Sequence, residues 1–177
     1  MKITYHAASS SDGFIAREDG DVSWLDEAEL DASDDSLEKF FAEVDGLVMG
    51  RGTYDFVFNY GAWPYEDKPS WVCTSRDLEA LEGANLRIVD SVDAVMKGAT
   101  AEGHEHLWLI GGGELATAFL KKGLLTHISI TEMPVILGAG IPLFARHTLK
   151  NIPVENFSRT KKKGCDQLEL TVSAGND

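Results

Sequence analysis

The run Leu107-Trp-Leu-Ile-Gly-Gly-Gly-Glu-Leu-Ala-Thr-Ala-Phe-Leu120 limits the possible folds of this chain more than any other segment. Leu107 to Ile110 is apolar at every position, so it fits a strand buried on both faces rather than one with a wet side. Such a strand needs helices above and below it, which selects an α/β layering. The strand then meets Gly111, Gly112 and Gly113 and turns directly into a helical pattern. Glycines permit positive φ and close approach of backbone to a ligand, and a helix start presents unpaired N–H groups at its positive end. A turn of this kind can seat a diphosphate. It can equally be a tight connection without a ligand, and the run alone leaves both open.

Apolar or alternating runs bounded by turn residues predict strands near 2–9, 45–50, 70–75, 86–90, 106–110, 125–133, 152–160 and 165–173. Helical periodicity fits 34–43, 52–59, 91–99 and 113–122. Ser33 or Asp34 is placed to cap the first helix, with Leu37, Phe40, Phe41 and Val44 as its apolar stripe, and Ser91 to cap the third. The fourth ends at Lys121-Lys122-Gly123, cations and a glycine where a C-terminus favours them. Through residue 133 strands and helices alternate, the pattern of a parallel sheet covered on both faces. The last two strands flank the charged turn Lys161-Lys-Lys-Gly164 and read as an antiparallel hairpin. With no repeat or linker in view, residues 1–177 are expected to form one α/β domain.

The net charge of −13 is uneven. Between Asp12 and Asp45 stand thirteen Asp/Glu against two Lys/Arg, so −11 of the −13 falls in this stretch and −2 elsewhere. A solvated acidic loop and helix is the expected reading, and such a surface repels nucleic acid and anionic membranes. No apolar run reaches the length of a membrane span. Met1-Lys-Ile-Thr-Tyr-His-Ala-Ala8 lacks a secretory pattern. Cys73 and Cys165 lie in apparent strands without metal-type spacing and read as small buried apolar groups in a reducing compartment. A cytoplasmic protein is expected.

In an open α/β sheet ligands sit beyond the carboxyl ends of the strands, which directs attention to the residues there. After the first strand, small residues at Ala7 and Ala8 leave room, Asp12-Gly13 turns sharply, and Phe14 and Ile15 return an apolar pair that could cover a planar ring. After the second, Gly50, Arg51 and Thr53 combine backbone access, a fixed cation and a hydroxyl at a helix start, a set that can clamp phosphate. After the third, the Thr74 and Ser75 hydroxyls beside Arg76 suit a phosphate monoester such as the 2′-phosphate of NADPH. The glycine run follows the fifth strand; it is neither the Gly-x-Gly-x-x-Gly fingerprint nor a P-loop. Phosphate-type chemistry at three strand ends, two with an arginine in an acidic chain, points to a phosphate-bearing ligand.

Five motifs then resemble, in order and spacing, the dihydrofolate reductase superfamily and more closely the RibD C-terminal family. These are Ser11-Asp-Gly-Phe-Ile-Ala16, Met49-Gly-Arg-Gly-Thr-Tyr54, Thr74-Ser-Arg76, Ile110-Gly-Gly-Gly-Glu114 and Pro134-Val-Ile-Leu-Gly-Ala-Gly-Ile-Pro-Leu-Phe144. The resemblance covers nearly the whole chain. It implies a dihydrofolate reductase-like fold, a mostly parallel eight-stranded sheet with helices on both faces, a C-terminal antiparallel hairpin, and NADPH across the carboxyl edge. By the same resemblance Ala8 and Ile15 line the nicotinamide pocket, and Gly50, Arg51 and Thr53 meet the cofactor phosphates. Thr74, Ser75 and Arg76 surround the adenosine phosphate, and Ile110, Gly111, Gly112, Gly113, Glu114 and Leu115 hold the diphosphate.

The implied chemistry is hydride transfer from NADPH to a small heterocycle, as in the 5-amino-6-(5-phosphoribosylamino)uracil reductase of riboflavin biosynthesis. The alternatives are a pterin reductase of the dihydrofolate reductase type or a catalytically silent NADPH-binding protein. A homodimer is expected, since members of the family are often dimers. The aromatic stretch Tyr54 to Lys68 lacks the pattern typical of the riboflavin enzyme, which leaves the substrate unassigned. Dihydrofolate reductases place an acid shortly after a Trp. Trp24-Leu-Asp-Glu27 and Glu29 offer that order, with Asp12 and Asp67 as other candidate acids, and for each carboxylate a solvated surface position is the competing reading. His104-Glu-His106 has no third ligand in view and reads as a solvated loop rather than a metal site. Trp63, Trp71 and Trp108 read as core or pocket wall.

Overall fold

Strand–helix alternation yields one eight-stranded sheet in the computed structural model, which describes residues 1–145 and 152–173. In chain order the elements are β1 (Lys2–Ser10), β2 (Phe14–Ala16), a short 3-10 turn (Ser23–Leu25), α1 (Ser36–Glu43), β3 (Gly46–Gly50), α2 (Arg51–Tyr60), β4 (Ser70–Cys73) and β5 (Leu86–Val89). They continue with α3 (Val92–Ala101), β6 (His106–Gly111), α4 (Gly113–Lys121), β7 (His127–Met133), β8 (Ile141–Pro142), β9 (Val154–Lys162) and β10 (Cys165–Val172). The sheet order is β5-β4-β3-β6-β1-β7-β10-β9. Neighbours from β5 through β7 are parallel, whereas β10 runs antiparallel to both β7 and β9. The fold is thus the mostly parallel eight-stranded type expected, with the hairpin at one edge.

The two-residue period of the strands sorts the core by face. On β6, Leu107 and Leu109 join Ile3, Tyr5 and Val48 under α3 and α4, which contribute Val92, Val95, Ala99, Ala116, Phe119 and Leu120. The alternate residues Trp108 and Ile110 turn to the other face, with Leu47, Phe40, Phe41 and Val44. Beyond them α2 lays Tyr54 over Met49 and Val72. Burial of a side chain such as Phe119, at 0% exposure, is worth about 1.5–3 kcal/mol. A continuous apolar run at 107–110 was therefore the correct sign of a strand covered twice.

The structure departs from the sequence reading in four places. β2 and β8 form a separate two-stranded ribbon, too short to give a periodic signal. Leu37 is 48% exposed and does not belong to the α1 stripe. Neither Ser33 nor Asp34 is the cap of α1: the N-cap is Asp35, which makes no side-chain cap hydrogen bond, while Asp34 just before it accepts from the Ser36 N–H at 2.9 Å through Oδ1 and from Lys162 Nζ at 2.7 Å through Oδ2. His104 and His106 are not a solvated loop. His106 is buried at the head of β6 with Nε2 2.9 Å from Thr4 Oγ1, and His104 lies against Asp45 and Glu102. Among the described residues no group of His, Cys, Asp and Glu is arranged to hold a metal. Ser91 does cap α3, accepting from the Ala94 N–H at 3.3 Å. No helix among the described residues is long and apolar enough to cross a membrane.

Candidate functional site

The site begins where two central strands part. β1 and β6 are paired only as far as Tyr5 and Leu109. β1 then continues to Ser10 against β7 alone, while β6 continues to Gly111 against β3. Trp108 Nε1 donates to the His6 carbonyl at 3.0 Å, which satisfies an acceptor left over by the parting strands. The gap opens into a groove of 2080 Å³ along the carboxyl edge of the sheet. Beside it, β3 connects to β4 on one side and β6 connects to β7 on the other, so the boundary between β3 and β6 is a topological switch point.

Two helices start at that boundary. Gly50 is the N-cap of α2 and Gly112 the N-cap of α4, and neither helix has a side-chain cap hydrogen bond. Their first-turn N–H groups remain available to a ligand. A Cβ on Gly50 would stand 3.7 Å from the Gly112 nitrogen and 3.8 Å from the Gly111 oxygen. Gly111 has φ 153°, a region side chains disfavour, and Thr53 Oγ1 lies 3.3 Å from where its Cβ would be. Gly113 has no room at all, because a Cβ there would fall on the Pro142 carbonyl oxygen. Ala8, Ile15, Ile110, Glu114 and Leu115 line the same groove.

The two arginines differ. Arg51 is held by its own helix and a neighbouring loop: Nε donates to Asp55 Oδ1 at 2.6 Å and Nη1 to the Asp77 carbonyl at 2.7 Å. That second bond ties the loop after β4 to the start of α2 and brings Arg76 to the groove wall. Arg76 is exposed, and among the described residues its guanidinium makes no ion pair or hydrogen bond. Thr74 and Ser75 do not line the groove; Thr74 Oγ1 accepts from the Arg76 N–H at 3.1 Å and so shapes the turn. The sequence-derived phosphate set is therefore brought together at Gly50, Thr53, Arg76 and Gly111 to Leu115. Arg51 also lines the groove, with Nε and Nη1 already engaged by Asp55 and Asp77, and the two hydroxyls stand aside.

The three candidate acid-site residues are not in the groove. Asp12 joins two loops: its carboxylate accepts from Ser10 Oγ at 2.7 Å and from the N–H groups of Leu137 and Gly138 at 3.1 and 2.8 Å. The Ser10 hydroxyl foremost, aided by those backbone N–H groups, holds its carboxyl below the usual range. Trp24 is buried at 2% exposure, and its Nε1 has no hydrogen-bond partner among the described residues. Asp67 is exposed, and its carbonyl accepts from Asn85 Nδ2. Cys73 and Cys165 are half-buried and line the groove, Cys73 also packing against the main core, and burial pushes the Cys73 thiol up to about 11.

Sequence reasoning missed a polar patch on the other side of the gap. His6, Thr131 and Gln167 line the groove, with Ser129 and Glu169 beside them. The register explains it: His6, Ser129 and Glu169 are cross-strand partners, as are Ala8, Thr131 and Gln167. The readable sign was a polar residue at every second position inside strands that are otherwise apolar, His6, then Ser129 and Thr131, then Gln167 and Glu169.

Comparison with known proteins agrees with this architecture. The protein YwjB of Bacillus subtilis is 35% identical over 164 residues, covering 92% of each chain. The crystal structure of a putative riboflavin biosynthesis protein from Shewanella sp. PV-4 matches with a TM-score of 0.81 and 28% identity, over 98% of this chain and 99% of that one. Dihydrofolate reductase from Enterococcus faecalis, solved in complex with NADP(H), shares the fold with a TM-score of 0.65 at 18% identity, covering 99% of this chain and 97% of that one. The family model of the RibD C-terminal domain matches residues 59–170. On its sequence, sheet order and groove, the chain belongs to the RibD C-terminal domain family.

Proposed function

We propose that this protein is an NADPH-dependent reductase that delivers hydride to a small heterocyclic substrate, in the manner of the 5-amino-6-(5-phosphoribosylamino)uracil reductase. The observation that carries the proposal is the meeting of the α2 and α4 N-termini at Gly50 and Gly112, N-cap glycines with no side chain of their own to close the gap between the two helix starts. A diphosphate seated there would accept N–H bonds at two positive helix ends. Arg76, without an acceptor of its own at the groove wall, is suited to the 2′-phosphate. Ala8 and Ile15, small and apolar beside the parted strands, would flank the nicotinamide. The dinucleotide would supply the hydride; the chain would orient the two rings and keep water from between them. The likeness to the Enterococcus dihydrofolate reductase, solved with NADP(H), supports a reductase of this kind, and the likeness to the Shewanella protein, a putative riboflavin biosynthesis protein, supports the substrate class.

The test is calorimetric binding of NADPH and NADH, followed by stopped-flow oxidation of NADPH in the presence of 5-amino-6-(5-phosphoribosylamino)uracil or a dihydropteridine. The expected result is a preference for NADPH of about tenfold or more and consumption with one of the two acceptors. Lack of NADPH binding overturns the proposal. Tight binding with neither acceptor reduced would favour a nucleotide-binding protein without turnover.

A further inference from the structure

Hydride addition to a carbon–nitrogen or carbonyl double bond leaves a heteroatom that needs a proton. The candidate acids Asp12 and Asp67 lie outside the groove. A titratable side chain in the polar patch across the gap from the two helix starts is His6, on β1 two residues before Ala8 and on the same face of the strand. Its ring stacks on Phe40 with centroids 4.6 Å apart at 19°, and Trp108 meets it edge-on at 5.9 Å. The ring is thus fixed in plane by α1 and β6.

The hydrogen bonds around it run in one direction. Glu169 as a carboxylate only accepts, so Ser129 Oγ, 2.7 Å away, is the donor. With its one hydrogen committed, Ser129 Oγ accepts from His6 Nδ1 at 2.9 Å and from Gln167 Nε2 at 3.0 Å. Gln167 Nε2 also donates to Glu169 Oε1 at 3.0 Å, and its Oε1 accepts from Thr131 Oγ1 at 3.0 Å. The amide orientation agrees with every one of these partners. The chain therefore places a proton on Nδ1 and leaves Nε2 as the open position of a ring that lines the groove, without a partner among the described residues.

We propose that His6 is the proton donor of the reduction, acting through Nε2, with Ser129 and Glu169 as the positioning residues that hold Nδ1–H. The proposal rests on the reductase reading above. The reduced nicotinamide dinucleotide gives two electrons and a hydrogen to the acceptor carbon, and the double bond to the heteroatom opens. Nε2–H of the imidazolium breaks and its proton joins the heteroatom. His6 is left neutral, protonated on Nδ1, and takes its next proton from water when the product leaves. The charged groups that act on the ring are Glu169 on β10 and Lys162 on β9, and Lys162 is itself bonded to Asp34. Burial lowers the His6 pKa and outweighs the raising influence of Glu169, with Lys162 adding to the lowering.

Two measurements test this. Nitrogen-15 NMR of the ligand-free protein reads the His6 tautomer and titration directly. Neutral His6 is expected as the Nδ1–H form, and Glu169→Gln is expected to lower its pKa; a neutral Nε2–H form overturns the proposal. Steady-state reduction of 5-amino-6-(5-phosphoribosylamino)uracil and of a dihydropteridine is then followed against pH. His6→Gln should lower kcat about 100-fold or more with NADPH affinity unchanged. In wild type kcat should fall as pH rises through the His6 pKa, and in Glu169→Gln that fall should begin at lower pH. Full kcat in His6→Gln, or an unmoved profile in Glu169→Gln, rejects His6 while leaving the NADPH reading standing. Absence of NADPH binding, or of reduction of either probe by wild type, rejects both together.

Discussion

Gly50 and Gly112 face one another across the boundary between β3 and β6, each at the start of a different helix. A Cβ on Gly50 would lie 3.7 Å from the Gly112 nitrogen, an ordinary contact, and Gly50 has the extended angles φ −83° and ψ 169° that any residue adopts. Nothing in the fold therefore requires glycine at position 50. On the proposed reading, a side chain at position 50 would instead intrude on the diphosphate seat between the two helix starts. Gly50→Ala is expected to cost at most about 1 kcal/mol of stability in a urea titration and to weaken NADPH by about tenfold or more in calorimetry. Unchanged NADPH affinity would remove the diphosphate from this gap.

Gly113 presents the opposite case. A methyl group there would collide with the Pro142 carbonyl oxygen and stand 3.0 Å from the Leu143 oxygen. The segment it would displace is fastened on both sides. The Leu143 N–H donates to the Gly13 carbonyl at 3.0 Å, and the Ala145 N–H donates to Thr117 Oγ1 at 2.8 Å. With no room to relax, Gly113→Ala should lose about 1–3 kcal/mol or more, as overpacked sites do. A urea midpoint equal to wild type would show that the segment at 141–145 yields freely.

Arg76 has no protein acceptor among the described residues, so its removal should leave stability unchanged within about 0.5 kcal/mol. A charge-assisted contact to a phosphate is worth about 1.5–3 kcal/mol, so Arg76→Ala should weaken NADPH by about 10- to 100-fold and NADH hardly at all. Equal losses for both dinucleotides would detach this arginine from the 2′-phosphate.

What the sequence revealed and what it concealed follow from the range of each interaction. The central strand Leu107 to Ile110 and the hairpin turn at Lys161 to Gly164 were legible, because burial on two faces and a local charge cluster leave their mark within a few residues. Gly50 and Gly111 to Gly113 were legible as backbone features of strand ends. The function of Asp12 was not: its partners Leu137 and Gly138 are more than 120 residues away, and a turn-forming Asp-Gly looks the same whether its carboxylate faces water, a ligand or another loop. The His6–Ser129–Glu169 line was hidden for the same reason. Each residue is a lone polar group in its own strand, and only the register of three strands brings them into contact.

His6 and two further histidines set the pH dependence of stability near neutrality. His6, His106 and His127 each have a pKa lowered from 6.5, in every case chiefly by burial. Lys2 adds to the lowering at His106 and His127. The unfolded chain therefore binds more protons than the folded one between the lowered values and 6.5, and stability rises with pH across that window. The contribution is fully present above 6.5 and is lost as pH falls below it. The carboxylates with lowered values, Asp12, Asp21, Asp31, Asp34 and Glu102, act in a separate and more acidic window, below their ordinary values of 3.8 and 4.5. Urea midpoints measured between about pH 7.5 and pH 5 should thus decline steadily, chiefly through histidine. His106→Gln, which keeps a hydrogen-bonding group near Thr4 but cannot titrate, should flatten part of that slope. A midpoint constant over the same interval would mean that the three rings are as well hydrated in the folded protein as in the unfolded chain.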